Sequence, residues 1–381
     1  MQSHPWHIVN PDGALRVIVT KPLPGERWLQ VLKGAGCRVE ICTEKAVLTV
    51  AAIREAIGPR CHGAIGQLTE PWDETLFGAL KAAGGRAYSN YAVGFNNIDL
   101  AAATRCGMPV GNTPGVLTET TAEMAVALTF AAARRTGEAE RFFRAGKYHG
   151  WLPDLFLGEL LWRKTVGIIG AGRIGAAYAR MMMEGHKTDI LYFDLHRNTD
   201  LEDFAADYAR FLVARREAPV LCRRVQTVAE LLAAADCVSI HTVLDETTRH
   251  LMDAKRLVLM KPNAVLVNTS RGPVVDEAAL VDHCRQHPEF RAGLDVFENE
   301  PAVTPGLAEL ENVVIVPHIA SATRWTRQGM AVLAATNVAA LLQGHPVWNR
   351  PDIHPFLTDD PPQAAPSILN AGPLGLAVYC G

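Results

Sequence analysis

Short apolar runs alternate with helix-period segments along most of the chain, and this alternation restricts the fold more than any other feature. The first series of runs is LRVIVT (15–20), RVEICT (38–43), GAIGQL (63–68), RAYSN (86–90) and MPVGNT (108–113). Between them lie segments such as ERWLQVLKGAG, TVAAIREAIG and DETLFGALKAAGG. A second series holds TVGIIG (165–170), DILYFD (189–194), DCVSIH (236–241), AVLVNT (264–269), RAGLDVF (291–297) and NVVIVP (312–317). Strands separated by helices pair in parallel through right-handed crossovers, and strands this continuously apolar need helices on both faces. The expected class is α/β, with two doubly wound parallel-sheet domains.

Two longer helix patterns mark the crossings. TETTAEMAVALTFAAARRTGEAERFFRAG (118–146) reads as one long helix and TRWTRQGMAVLAATNVAALLQG (323–344) as another. Residues 118–327 are expected to form one domain, and 1–117 with 328–381 the other; 381 residues suffice for two separate cores. LEDFAADYARFLVARR reads as an inserted helix, and the proline-rich stretch from Pro346 to Pro373 as an extended, wrapping tail.

Composition excludes several classes. A net charge of −3, with basic residues gathered only as doublets such as Arg134-Arg135, argues against nucleic acid as a partner. No apolar run approaches the roughly 18 residues of a membrane helix. Eight cysteines without a CxxC spacing read as reduced thiols. The opening MQSHPWHIVNPDG has no secretory core, and the chain ends in Tyr379-Cys380-Gly381 without a Ser-Lys-Leu signal. The expectation is a soluble intracellular protein, in an organelle matrix or the cytosol.

TVGIIGAGRIGAAYARMM contains Gly170, Gly172 and Gly175 between an apolar strand and a helix pattern. In a dinucleotide-binding turn the first glycine makes the bend, the second admits the pyrophosphate and the third allows close helix–strand packing. Asp194 ends the next strand, 24 residues beyond Gly170, near the spacing of about 20 for a ribose-binding carboxylate. It favours NADH over NADPH, although Arg197 could pair with a 2′-phosphate. A structural turn with a surface aspartate is the plainer alternative.

Ligands of open parallel sheets sit beyond the carboxyl ends of the strands. Those ends carry His241 and Thr242, Arg271 in NTSRGPVVDE, Asp295 and Glu300 in LDVFENEP, and His318 in VPHIAS. Hydride transfer to a 2-keto acid uses such a set: an arginine for the carboxylate, a protonated histidine for the carbonyl oxygen, and a carboxylate that favours the imidazolium. Singly, each has a duller reading: Arg271 as a cap, Glu300 as a solvated loop carboxylate, His318 as a core imidazole, Asp295 as a loop holder. Their coincidence behind a dinucleotide turn points to a site. His283 and His287, four residues apart on one helix pattern with Cys284 beside them, are an alternative metal pair, but no third ligand lies at suitable spacing and Pro288 ends the helix, so no metal is expected. No GxSxG elbow is present.

VGIIGAGRIG, VNTSRGPVVDEAAL, GLDVFENEP and VPHIASAT resemble the D-isomer-specific 2-hydroxyacid dehydrogenases. CRVEICT, IGQLTE, NTPGVLTETTAE, RAGKYHGWLPDLFLGELL, RWTRQGM and SILNAGPLGL are similar, within that family, to the plant- and algal-type photorespiratory hydroxypyruvate reductases. The resemblance implies a Rossmann NAD-binding domain inserted in a flavodoxin-like substrate domain. It implies reduction of hydroxypyruvate to D-glycerate with NADH, and of glyoxylate to glycolate more weakly. Arg271, Glu300 and His318 would be the catalytic residues. Gly170, Gly172, Arg173, Ile174, Gly175, Asp194, Arg197, His241, Thr242, Thr269, Asp295 and Ser321 would bind the cofactor. The substrate would meet Leu68, backbone at Val93 and Gly94, Asn96, Arg271 and, from a homodimer partner, Trp151.

Other members of the family remain open as readings. A dehydrogenase of 3-phosphoglycerate would want basic residues in the pocket loops, and GQLTE and AVGFNN offer none. A formate dehydrogenase would carry glutamine in place of Glu300. An NAD-sensing corepressor, a binding protein without turnover, can keep the same fold.

Overall fold

The computed structural model describes residues 5–380. Residues 1–4 and 381, on which the targeting expectations partly rest, lie outside them. The chain divides into two compact units, Met1–Leu117 with Ala322–Gly381, and Thr118–Ser321. The second division falls at 321/322 rather than 327/328. Thr323 caps the helix Arg324–Gln343 through the Thr326 N–H (3.2 Å), and that whole helix packs within the first unit. Among the described residues no helix is long and apolar enough to cross a membrane.

In the first unit, β1 (Trp6–Val9), β2 (Leu15–Val19), β3 (Cys37–Cys42), β4 (Gly63–Gly66), β5 (Ala87–Asn90) and β6 (Val110–Gly111) form one sheet in the order β1-β3-β2-β4-β5-β6. Neighbours are parallel except β1, which runs antiparallel to β3. WHIV carries no strand signal in the sequence, because its edge position leaves it only partly buried. β6 is the opposite edge, and the tail covers it. Leu369 N–H donates to Val110 O (2.8 Å), and Ile368 bridges Gly111 in antiparallel fashion. A covered edge offers no template to another chain.

In the second unit, β7 (Thr165–Ile169), β8 (Asp189–Phe193), β9 (Cys222–Arg224), β10 (Cys237–Ile240), β11 (Val265–Asn268), β12 (Arg291–Leu294) and β13 (Val313–Ile315) form an all-parallel sheet. Its order is β13-β12-β11-β10-β7-β8-β9. Alternate residues serve opposite faces. Val238, Ile240 and Leu266 pack with Leu231, Leu232 and Leu280, while Val166, Ile168, Val265 and Val267 pack with Tyr178, Met182 and Leu128. Each such fully buried aliphatic side chain contributes on the order of 1.5–3 kcal/mol, which is why these strands tolerate no polar face. β9 follows the inserted helix Thr199–Ala214, and its CRR sequence hides it from pattern reading.

The segment 118–146 is two helices, Thr118–Ala133 and Thr136–Arg144, instead of one. Arg135 takes a left-handed conformation (φ 56°) and its guanidinium holds Glu138 (2.8 Å). The Glu159 N–H donates to Ala133 O (2.8 Å), and a Cβ on Gly158 would meet that oxygen at 2.3 Å. A crossing chain therefore sits where the helix would have continued.

In the sheet order β7 lies between β10 and β8, so successive crossovers leave its carboxyl end on opposite sides. That reversal opens a crevice in doubly wound sheets.

Candidate active site

The turn after β7 gives each glycine a separate task. Gly170 has φ +92°, and a Cβ there would lie 2.8 Å from His241 C and Thr242 N at the end of β10. A Cβ on Gly175 would lie 2.0 Å from Gly170 O, so the helix Arg173–His186 sits directly on the turn. Gly172 is different: nothing lies within 4 Å of a Cβ built there. It is the N-cap of that helix and supplies no side-chain cap to the first-turn N–H groups. Such a turn could cradle a phosphate on a helix N-terminus. Arg173 beside it is exposed and Ile174 half-buried.

Asp194 is already oriented: Oδ2 accepts the Ala171 N–H (2.7 Å) and Oδ1 the His196 N–H (3.0 Å). Arg197 is turned to Glu202, 2.6 Å away. Arg224 donates to Asp194 O (2.9 Å) and Leu195 O (3.0 Å), tying down the strand end. His241 shares a hydrogen bond with Ser239 Oγ (2.8 Å), and burial lowers its imidazole to about 3, so it is neutral. Thr242 and Ser321 are half-buried. Thr269, 7% exposed, has a buried hydroxyl without a hydrogen-bond partner among the described residues. An orphaned hydroxyl at a strand end of the same sheet as the open glycine turn fits a bound dinucleotide.

The other strand ends bring Arg271, Glu300 and His318 into one electrostatic group. His318 Nδ1 bonds Glu300 Oε2 at 2.8 Å, both side chains about a quarter exposed (26% and 25%). Burial pushes the Glu300 carboxyl up, but the His318 bond and charge, the Phe297 N–H (3.0 Å) and the Arg271 charge pull harder, so it ends below the ordinary carboxylate range. Burial draws the Arg271 guanidinium below its usual value, and Glu300 opposes that. His318 itself has φ +52°, uncommon for a residue with a side chain. Asp295 secures that conformation. Its backbone O accepts the His318 N–H (2.9 Å), and its carboxylate accepts Ile319 N–H (2.6 Å) and Ala320 N–H (2.9 Å). Asp295 is fully buried, and burial raises its carboxyl despite those bonds. In this structure it holds the histidine loop, the role its duller reading gave it.

Three positioning features escape sequence reasoning. Asn268, 1% exposed, donates to Arg271 O (2.9 Å) and accepts the Ser270 N–H (3.0 Å), shaping the arginine turn. A Cβ on Gly272 would lie 1.9 Å from Phe297 C and O and 2.4 Å from Glu298 N, so the arginine and glutamate loops touch backbone to backbone. Glu277, 2% exposed, accepts the Glu298 N–H (2.7 Å) and the Thr304 N–H (3.1 Å), clasping the loop on either side of Glu300. The only sequence trace of Glu277 was its place after Asp276, which caps the helix Glu277–Gln286 (2.9 Å).

In the first unit, the turn after β5 carries Val93, Gly94 and Asn96. Asn112 donates to Val93 O (2.9 Å) and Asn90 to Gly94 O (3.0 Å). Asn97 donates to Gln67 O (3.1 Å) and Glu70 O (2.9 Å), joining this turn to the one holding Leu68, which is half-buried. Asn96 is exposed. In the second unit Trp151 is 79% exposed. His283 packs against His287 with the rings tilted (4.4 Å) and meets Phe290 edge-on (4.6 Å). Among the described residues, no group of three or more His, Cys, Asp or Glu gathers as a metal site.

Known proteins resemble this chain in sequence and in fold. Residues 126–320 match the model of the D-isomer specific 2-hydroxyacid dehydrogenase, NAD binding domain. The chain is 58% identical over 372 residues to the glycerate dehydrogenase of Cucumis sativus, covering 97% of each. It is 56% identical over 375 residues to the peroxisomal glycerate dehydrogenase HPR of Arabidopsis thaliana, again covering 97% of each. The solved structure of the TT0316 protein from Thermus thermophilus matches with a TM-score of 0.78 at 34% identity, over 93% of this chain and 100% of that one. An NAD-type glycine cradle, a histidine–carboxylate pair at the strand ends and these matches agree: the chain belongs to the D-isomer-specific 2-hydroxyacid dehydrogenases and is an NAD-dependent oxidoreductase.

Proposed function

We propose that the chain reduces hydroxypyruvate to D-glycerate with NADH, and glyoxylate to glycolate more weakly. The observation that carries this reading is the 2.8 Å bond between His318 and Glu300, in the unit whose strand ends also hold Arg271 and the glycine cradle. Gly170, Gly172, Arg173, Ile174 and Gly175 hold the pyrophosphate, and Asp194 the ribose hydroxyls; His241, Thr242, Thr269, Asp295 and Ser321 border the remainder. Bound NADH supplies the hydride to the keto carbon. Arg271 pairs with the substrate carboxylate and polarises its carbonyl. His318, with Nδ1 held by Glu300, gives its proton from Nε2 to the carbonyl oxygen. In the first unit, the Val93–Gly94 backbone takes the carboxylate, with Asn96 nearby, and Leu68 lines the apolar side. The relatives named glycerate dehydrogenase support hydroxypyruvate as the substrate.

NADH is favoured because Asp194 presents a carboxylate where NADPH carries a phosphate. The arginines nearby are occupied: Arg197 by Glu202, and Arg224 by two carbonyls. Steady-state kinetics on hydroxypyruvate, glyoxylate, pyruvate and 3-phosphohydroxypyruvate with each nicotinamide cofactor test the assignment. Hydroxypyruvate with NADH is expected to give the highest kcat/KM; equal efficiency on the phosphorylated acid, or with NADPH, would refute it.

The proposed assembly is a homodimer in which Trp151 reaches the partner's pocket. Phe143, Trp151, Leu152, Leu157 and Leu160 are exposed along one segment, and apolar side chains gathered in this way suit a protein–protein interface. Light scattering should give twice 41.4 kDa at micromolar concentration; a monomer mass would contradict the dimer. The eight free cysteines suit a reducing compartment, an organelle matrix or the cytosol, where imaging of a tagged chain should find it.

A further inference from the structure

We propose that Ser367, in the proline-rich tail, is a positioning residue for the substrate carboxylate, acting through Asn112 on the Val93–Gly94 peptide. The proposal rests on the reading that this peptide receives the carboxylate. Ser367 Oγ donates to Asn112 Oδ1 (2.6 Å), and Asn112 Nδ2 donates to Val93 O (2.9 Å). The Asn112 amide can serve both neighbours in one orientation alone. Its nitrogen must face the carbonyl, so its oxygen must face a donor, and the Ser367 hydroxyl is that donor.

The tail is fixed well enough to impose the choice. Ser367 N–H donates to Asn337 Oδ1 (2.9 Å), and Asn337 Nδ2 donates to Asn112 O (2.9 Å). Asn112 N–H closes the ring by donating to Ser367 O (3.3 Å). Asn337 is fully buried and Asn112 is 4% exposed, so water cannot replace these partners cheaply. A Cβ on Gly111 would lie 2.7 Å from Asn337 Nδ2, which leaves the ring no room to reorganise.

The consequence for the substrate follows from peptide geometry. In a planar trans peptide the C=O and the following N–H point in opposite directions. Because Asn112 draws the Val93 carbonyl inward, the Gly94 N–H points away from Asn112, toward the outer side of the turn. An oriented N–H is what an anionic carboxylate requires, and the tail hydroxyl keeps it oriented.

Ser367→Ala removes the donor and leaves Asn112 Oδ1 buried without a partner. KM for hydroxypyruvate and the dissociation constant of oxalate are expected to rise about fivefold to tenfold, the worth of one net hydrogen bond. The KM for NADH should stay near wild type, Tm should fall by no more than a few degrees, the cost of one unpaired buried oxygen, and Ser367→Thr should restore the keto-acid KM. ¹⁵N-glycine labelling, with the Gly94 signal identified by its loss in Gly94→Ala, separates the two claims. A wild-type Gly94 amide that does not move when oxalate saturates the NADH-bound enzyme would remove the reading of the turn, and the relay with it. A Gly94 amide that moves, combined with unchanged oxalate affinity in Ser367→Ala, would overturn the relay alone. Parallel loss of NADH affinity, keto-acid affinity and Tm in Ser367→Ala would mark general loosening and also overturn it.

Discussion

Replacing His318 with asparagine is expected to lower kcat for hydroxypyruvate reduction by about 10²- to 10⁴-fold, the usual contribution of a positioned proton donor. Asparagine is the informative replacement because position 318 is left-handed (φ +52°), a conformation that asparagine accepts more readily than most residues. Backbone strain then stays nearly constant, and the loss reports the missing proton. KM for NADH should change little. In the wild type, reduction needs the imidazolium and the Glu300 carboxylate together. The rate should therefore depend on the Glu300 carboxylate staying ionised. On the acid side it should persist below pH 4.3 or so, the ordinary glutamate value, because Glu300 is held below that range. The same sign governs stability. Ionised Glu300 favours the folded state above the ordinary carboxylate value, and that contribution is lost as pH falls through its depressed value. Reduction in His318→Asn within threefold of wild type would remove the assigned role.

Gly272→Ala is expected to be nearly as damaging without touching any reacting group. The new methyl would sit 1.9 Å from the Phe297 carbonyl and 2.4 Å from Glu298 N, which are backbone atoms with no rotamer to yield. The loop bearing Arg271 and the loop bearing Glu300 must separate. A displacement of about 1 Å in a reacting constellation costs on the order of a hundredfold, and kcat/KM should fall by at least that much. NADH binding, followed by fluorescence, should survive, because the glycine cradle lies on a different strand end. Near-normal turnover would mean that the two loops are not coupled through this contact. Loss of NADH binding along with turnover would mean that the unit unfolds.

The alternation of apolar runs revealed the parallel strands of both sheets, because a strand buried on two faces must be apolar throughout. It missed β1 and β9, an edge strand of four residues and a polar one of three, for the same reason. The break at Arg135 was also invisible, since it depends on a chain segment 24 residues later taking the Ala133 carbonyl. In the site, Gly170, Gly175 and His318 were legible because local spacing and position after a strand betray them. The substrate roles of Asn96 and Trp151 came from resemblance, whereas Arg197 and Asp295 were read from their places at strand ends. For Arg197 and Asp295 the structure adds partners, Glu202 and the Ile319–Ala320 amides. Glu277, Asn112 and Ser367 lie within motifs that carry the resemblance, but nothing local shows their partners, which are as far as 21 and 255 residues away. Pattern reading finds what lies along a strand or helix; partners brought together by topology appear only in three dimensions.

The most direct measurement of the central claim is a crystal structure of the enzyme with NADH and oxalate. The account expects the pyrophosphate against Gly172, Arg271 on a carboxylate of oxalate, and His318 Nε2 within hydrogen-bond reach of the oxygen that stands for the keto group. A dinucleotide lodged away from the glycine cradle, or a His318 ring directed away from the bound anion while still paired to Glu300, would contradict it.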